Sequence, residues 1–70
     1  MKAKEIYFII EDSIEGGFEA KAIGYPIYTE GETVSETKEN IKDAINCHFD
    51  ENEKPSIINI RYVKEEIITL

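Results

Sequence analysis

The segment Lys4–Glu11 constrains the fold more than any other part of the chain, because it is apolar on both sides of a predicted strand. Successive residues of a strand point to opposite faces of the sheet, and β-branched and aromatic residues favour this conformation. The first face holds Ile6, Phe8 and Ile10, and the second holds Tyr7 and Ile9. A strand that is apolar on both faces needs cover on both.

Two more strands are predicted in the first half of the chain. Asp12–Gly17 carries turn residues, including paired glycines that accept positive φ where a chain reverses. Phe18–Ile23 alternates apolar and charged residues, as a half-buried strand does. Gly24 and Pro26 interrupt this pattern, and Ile27–Thr29 follows as a short strand. Together the three segments predict an antiparallel meander.

A helix and a fourth strand complete the pattern. Glu30–Glu32 predicts a turn, and Thr33–Glu36 matches a capping box, in which the threonine and glutamate side chains bind free N–H groups at a helix start. The apolar stripe of this helix comprises Val34, Ile41, Ala44, Ile45 and the region of His48 and Phe49. Asp50–Ser56 is polar and contains a proline, so it ends the helix. Ile57–Val63 predicts a strand, and Ile67–Leu70 either continues it or folds back.

The predicted fold class is α+β, with the element order β-β-β-α-β and the helix packed on one face of the sheet. A chain of 70 residues cannot divide its apolar residues between two cores, so we expect a single domain over residues 1–70. One helix covers one face only. The second apolar face therefore predicts contact with protein, and we expect a homodimer or a higher homo-oligomer.

Charge restricts the classes of partner. Fifteen acidic and eight basic residues give a formal net charge of −7, which repels nucleic-acid phosphates and suits a basic protein partner. Solubility alone is the alternative explanation of this charge. The N-terminal apolar run is too short for a signal peptide or a membrane span, so we expect a cytoplasmic protein without direct contact to nucleic acid or membrane.

Cys47 and His48 are the only thiol and imidazole of the chain, so no intrachain disulfide can form. Neighbours on a helix point about 100° apart and do not face each other, which argues against a nucleophile and base pair. We expect both side chains to pack near the helix end, Cys47 as a small hydrophobe and His48 as a half-buried polar group. The spacing of potential ligands fits no zinc pattern. We therefore expect no catalytic residue, no cofactor and no metal.

Acidic residues gather in the predicted turns. Two carboxylates could serve a hydrolase, but that chemistry needs them in a cleft with shifted pKa values, whereas turns are normally solvated. A partner-facing or solvated acidic rim is the preferred interpretation. The candidate partner-binding residues are Glu11, Asp12, Glu15, Glu30 and Glu32.

Several motifs along nearly the whole chain resemble the HicB-like antitoxin family. They are Glu15–Ala20, Gly24, Ile27, Thr29, the Glu30–Thr33 turn, Asn40–Ile45, and Cys47–Glu51 followed by Pro55 and Ile57–Val63. The last of these resembles the short, single-domain members. The resemblance implies a truncated ribonuclease-H-like fold and a role in masking a small basic HicA-like toxin that cleaves mRNA. Long members add a C-terminal DNA-binding domain, and we expect none here.

The resulting hypothesis is an antitoxin that places acidic residues against the RNA-binding surface of its toxin. Such charge pairing raises association rate more than final affinity. A stand-alone homo-oligomeric interaction module without a toxin is the alternative, and a small enzyme ranks behind both. Shared fold does not establish shared chemistry, so the implied ribonuclease-H-like fold predicts no nuclease activity.

Overall fold

The structure is a computed structural model that describes residues 4–64 and 66–70. Its elements in chain order are β1 (Glu5–Asp12), β2 (Phe18–Ala22), β3 (Tyr28–Gly31), α1 (Val34–His48) and β4 (Ile57–Val63). Helix α1 packs on one face of the sheet, mainly over β2 and β3. The predicted β-β-β-α-β order and the α+β class are therefore confirmed.

The strands form one mixed sheet in the order β3-β2-β1-β4. Strands β1, β2 and β3 make the expected antiparallel meander, with Ile10 opposite Ala20 and Ala20 opposite Thr29. Strand β4 returns parallel to β1, with Phe8 opposite Ile60. Strand β1 is thereby paired on both sides, which suits its apolar sequence.

The core lies between α1 and the face of β1 that carries Phe8. Its buried residues are Ile6, Phe8, Ile10, Ala20, Ile27, Ile41 and Ile45. On the opposite face of β1, Tyr7 is 38% exposed and Ile9 is half-buried. No helix covers this second face among the described residues, and we call it the open face. The predicted division of β1 into two faces is confirmed.

The start of α1 is held by two threonines. The hydroxyl oxygen of Thr33 accepts a hydrogen bond from the backbone N–H of Glu36 at 3.0 Å, which is the first half of the predicted capping box. The reciprocal bond from the Glu36 side chain is not formed among the described residues. Thr37 is fully buried, and its hydroxyl donates to the carbonyl oxygen of Thr33 at 2.8 Å. Sequence patterning did not assign Thr37 to the core.

Several predicted boundaries differ from the structure. Glu30 and Gly31 belong to β3 and not to a turn, because they extend the ladder by pairing with Glu19 and Phe18. Strand β2 ends at Ala22, one residue earlier than predicted. Segment 66–70 neither continues β4 nor folds back, since it has no regular structure and its apolar side chains are almost fully exposed.

Gly17 closes the β1–β2 turn against the end of β3. Its φ of +77° lies in the region that favours glycine, and a Cβ there would lie 2.7 Å from the carbonyl oxygen of Gly31. The backbone N–H of Ser13 donates to the carbonyl oxygen of Gly17 at 3.0 Å, which ties the turn together. The turn is consequently held close to the connection between β3 and α1.

Candidate functional site

Three glutamates form a row across the open face. In the strand register, Glu11 of β1 lies opposite Glu19 of β2, and Glu19 lies opposite Glu30 of β3. Directly opposed residues point to the same face of a sheet, and their Cβ atoms are about 4.5–5.5 Å apart. The sheet therefore presents three neighbouring carboxylates on the face away from α1.

Two neighbours relieve part of the repulsion in this row. Nζ of Lys21 lies 3.5 Å from Oε1 of Glu11, and the hydroxyl of Tyr28 donates a 2.8 Å hydrogen bond to Oε1 of Glu19. The bond to Glu19 raises the pKa of Tyr28 to about 12, with smaller contributions from desolvation and from the charges of Glu19 and Glu30. Like charges directly opposite each other destabilise a sheet, so the remaining repulsion in the row carries a cost in stability.

A concave depression of about 460 Å³ adjoins the row at the end of the sheet. It forms where the β1–β2 turn meets the connection from β3 to α1. Its charged lining residues are Glu15, Glu30, Glu32 and Glu36, and Ser13, Gly16, Phe18 and Gly31 complete it. The side-chain amide of Asn40 donates to the carbonyl oxygen of Glu30 at 2.6 Å, so α1 helps to position this wall.

The structure brings three of the five predicted residues into one depression, namely Glu15, Glu30 and Glu32. Glu11 lies instead on the open face in the row with Glu19 and Glu30. Asp12 follows Glu11 in the same strand and so points to the other face, opposite Phe18. Asp12 and Glu30 were expected in turns, and this was wrong because β1 extends through Asp12 and β3 through Gly31. Glu11 lies in β1, within the strand predicted over Lys4–Glu11.

Two members of this site were missed from the sequence. Glu19 was assigned only as an outward-facing strand residue, and its place between Glu11 and Glu30 depends on the strand register. Glu36 was interpreted only as a capping residue. We call the whole set the acidic end. Its residues are Glu11, Asp12, Glu15, Glu19, Glu30, Glu32 and Glu36.

Cys47 and His48 do not pack as expected. Both side chains are exposed at the end of α1, because the buried stripe of the helix runs through Thr37, Ile41 and Ile45. The His48 ring makes an edge contact with Phe49, at 4.8 Å between ring centroids. Among the described residues no hydrogen bond joins the thiol and the imidazole.

Within residues 4–64 and 66–70, no group of three or more His, Cys, Asp or Glu side chains is arranged to hold a metal ion. In the same ranges, no helix has the length and apolarity needed to cross a membrane.

Two curated relatives are similar to most of this chain. A UPF0150 protein from Thermotoga maritima is 45% identical over 67 residues, which cover 96% of this chain and 94% of that protein. A UPF0150 protein from Archaeoglobus fulgidus is 38% identical over 56 residues, which cover 80% of this chain and 83% of that protein. No family model matches the chain, and no solved structure matches it. Identity at this level over nearly the full length of a relative shows that the chain belongs to the UPF0150 family.

Proposed function

We propose that this domain acts as an antitoxin that masks a small basic HicA-like toxin, and that it works by binding without catalysis. The observation that carries the proposal is the cross-strand row of Glu11, Glu19 and Glu30 beside an acidic depression. Carboxylates crowded in this way repel one another, and a basic partner relieves that repulsion. The resemblance to HicB-like antitoxins gives the partner its class.

The acidic end would cover the surface by which such a toxin holds RNA. Lysine and arginine side chains that bind phosphates would pair with the carboxylates, so substrate would be excluded by competition. The same charge disfavours direct contact between this domain and nucleic acid. The proposed role places the protein in the cytoplasm, where mRNA is translated.

Co-purification with the products of the flanking genes tests the proposal. We expect a small basic protein to co-purify, and its mRNA cleavage to stop when this domain is added in equal amount. The reversal Glu30→Lys with Glu32→Lys should slow association roughly tenfold or more, because charge pairs govern mainly the rate of encounter. The pair Glu51→Lys and Glu53→Lys changes the charge equally in the exposed loop after α1 and should have a much smaller effect. If neither flanking product is small and basic, and none is captured, the antitoxin proposal is wrong.

Self-association is the second candidate function, with the domain serving as a homo-oligomeric interaction module. The supporting observation is that apolar side chains remain exposed after folding. On the open face these include Tyr7, Ile57 and Val63, and beyond β4 they include Ile67, Ile68 and Leu70. Exposed apolar groups of this extent are typical of protein contacts. Light scattering over a wide concentration range tests it, and a monomer throughout would contradict it.

A further inference from the structure

A groove runs between α1 and β4 on the helix side of the sheet. Because α1 packs mainly over β2 and β3, it leaves Ile58 and Ile60 of β4 only partly covered. Two adjoining depressions of about 320 and 280 Å³ share Lys42 and Ile58. The apolar side chains that line them are Ile41, Ile45, Pro55, Ile58 and Ile60. We call this the α1–β4 groove.

The rim of the groove is basic in an acidic protein. Three lysines, Lys38, Lys42 and Lys54, border it with a single carboxylate, Glu39. Nζ of Lys42 lies 3.4 Å from Oε1 of Glu39, and Nζ of Lys54 lies 3.6 Å from Oε1 of Glu51, so Lys38 is the rim lysine without an ion pair among the described residues. The row of Glu11, Glu19 and Glu30 lies on the other face of the sheet, where Lys21 pairs with Glu11. A ligand for the groove should therefore be apolar with a negative charge beside the apolar part.

Strand β4 adds a second binding element along the groove. It is an edge strand, since among the described strands it pairs with β1 alone. Among the described residues, no backbone hydrogen bond joins the outer edge of β4 to another segment, so this edge can receive another strand. Natural edges are commonly protected by prolines, bulges or inward-pointing charges, and Ile57–Val63 contains no proline and places Ile58 and Ile60 toward the groove. The edge is thus suited to the addition of a strand.

The segment Glu66–Leu70 has the matching chemistry. It begins with a carboxylate and continues with Ile67, Ile68, Thr69 and Leu70, which are residues that favour an extended conformation. Ile67 is 83% exposed, Ile68 75% and Leu70 116%, so these side chains bury almost nothing within their own copy. Alternation along a strand would turn Ile68 and Leu70 to one face and Ile67 to the other.

Among the described residues, none of 66–70 lines the groove of its own copy. The exposure of Ile67, Ile68 and Leu70 shows that these side chains do not pack on the folded body. A second copy can present its groove to the segment without any refolding.

We propose that the segment Glu66–Leu70 of one copy occupies the α1–β4 groove of a second copy. It adds as a strand to the outer edge of β4, with apolar side chains on Ile58 and Ile60 and with Glu66 near the lysine rim. Reciprocal exchange closes a symmetric dimer that contains two such contacts. The inference rests on the proposed self-association and gives it a surface, but it does not depend on toxin binding.

The test is the sedimentation equilibrium of the full chain and of a segment variant. We expect the natural chain to dimerise, and Ile67→Asp with Ile68→Asp to weaken dimerisation roughly 100-fold or more by placing charge in an apolar groove. Ile14→Asp is the matched control, because Ile14 is equally exposed but lies in the β1–β2 turn. Circular dichroism should show an unchanged monomer fold in both variants.

A mixing experiment separates exchange between copies from folding back within one copy. The variant Lys38→Glu with Lys42→Glu has a damaged groove and an intact segment. The variant Ile67→Asp with Ile68→Asp has an intact groove and a damaged segment. We expect each variant alone to be monomeric and their mixture to associate through one intact contact. A mixture that stays monomeric while the natural chain dimerises overturns the exchange.

The remaining outcomes distinguish this inference from the proposed functions. A natural chain that is monomeric at every concentration overturns both the exchange and the self-association. A dimer that survives Ile67→Asp with Ile68→Asp overturns the exchange and leaves self-association through another surface. Capture of a basic protein by the acidic end is unaffected by either result, since that end shares no residue with the groove or segment.

Discussion

The hydroxyl of Tyr28 donates a 2.8 Å hydrogen bond to Oε1 of Glu19, across the β2–β3 pair. The two residues occupy diagonal positions, because Tyr28 lies opposite Lys21 and Glu19 lies opposite Glu30. Glu19 thus accepts a hydrogen bond within a row of three carboxylates. Lys21 forms an ion pair with Glu11 in the same row. The negative charge of the row is therefore partly compensated by Lys21 of β2 and Tyr28 of β3 before any partner binds.

The first prediction concerns the ionisation of Tyr28. Its pKa rises from 10.0 to about 12, chiefly because the neutral phenol donates to Glu19. A pKa raised in the folded state means that the stabilising contribution is complete below pH 10 and is lost as the pH rises through about 12. Glu19→Gln should lower the pKa of Tyr28 toward 10.0, which NMR titration of the ring measures.

Glu51→Gln serves as the control for that titration, because it removes one charge from an exposed position after α1. It should leave the pKa of Tyr28 unchanged. Equal titration of Tyr28 in the natural chain and in Glu19→Gln would contradict the assigned cause.

The second prediction compares the two faces of β1. Phe8 is fully buried under α1, so Phe8→Ala should lower the free energy of unfolding by about 3–5 kcal/mol through lost burial and a cavity. Tyr7 is 38% exposed and its ring lies 5.6 Å from Cζ of Arg61. Tyr7→Ala should cost only about 1 kcal/mol. Urea unfolding measures the free energy of unfolding of both variants. Equal losses for Phe8→Ala and Tyr7→Ala would show that Tyr7 is covered in solution.

The third prediction concerns the start of α1. Thr33→Ala removes the acceptor for the Glu36 N–H and should lower stability by about 1 kcal/mol. Thr33→Ser keeps a hydroxyl at the cap and should restore most of the loss. Ser35→Ala, at an exposed position in the first turn, is the control for side-chain truncation. If Thr33→Ser does not recover the stability lost in Thr33→Ala, the loss does not come from the capping hydrogen bond.

The fourth prediction concerns the contact between β3 and α1. A Cβ at Gly31 would lie 2.6 Å from Oγ1 and 2.7 Å from the backbone nitrogen of Thr37, so Gly31→Ala must move the helix. We expect it to destabilise the fold by about 1–3 kcal/mol. Adding Thr37→Ala removes the hydroxyl but not the backbone contact, and should not rescue stability. Thermal unfolding measures this, and full rescue would show that the helix backbone is not the obstacle.

The fold class was predictable because its signals are local. Alternation in Ile6–Ile10 separated a buried face from an exposed one, and Thr33 marked the helix start within one residue of its observed position. The buried Thr37 escaped prediction because its hydroxyl is satisfied within the helix by the Thr33 carbonyl, which polarity alone does not reveal.

By itself, the sequence determined the element order, the apolar faces and the excess of acidic charge, since each depends on near neighbours in the chain. Tertiary structure decided which carboxylates meet. Glu11, Glu19 and Glu30 come from three strands, and their row exists only in the observed register. A shift of one residue would turn Glu19 to the other face, because side chains alternate along a strand. The parallel return of β4 likewise decided which edge remains open beside α1.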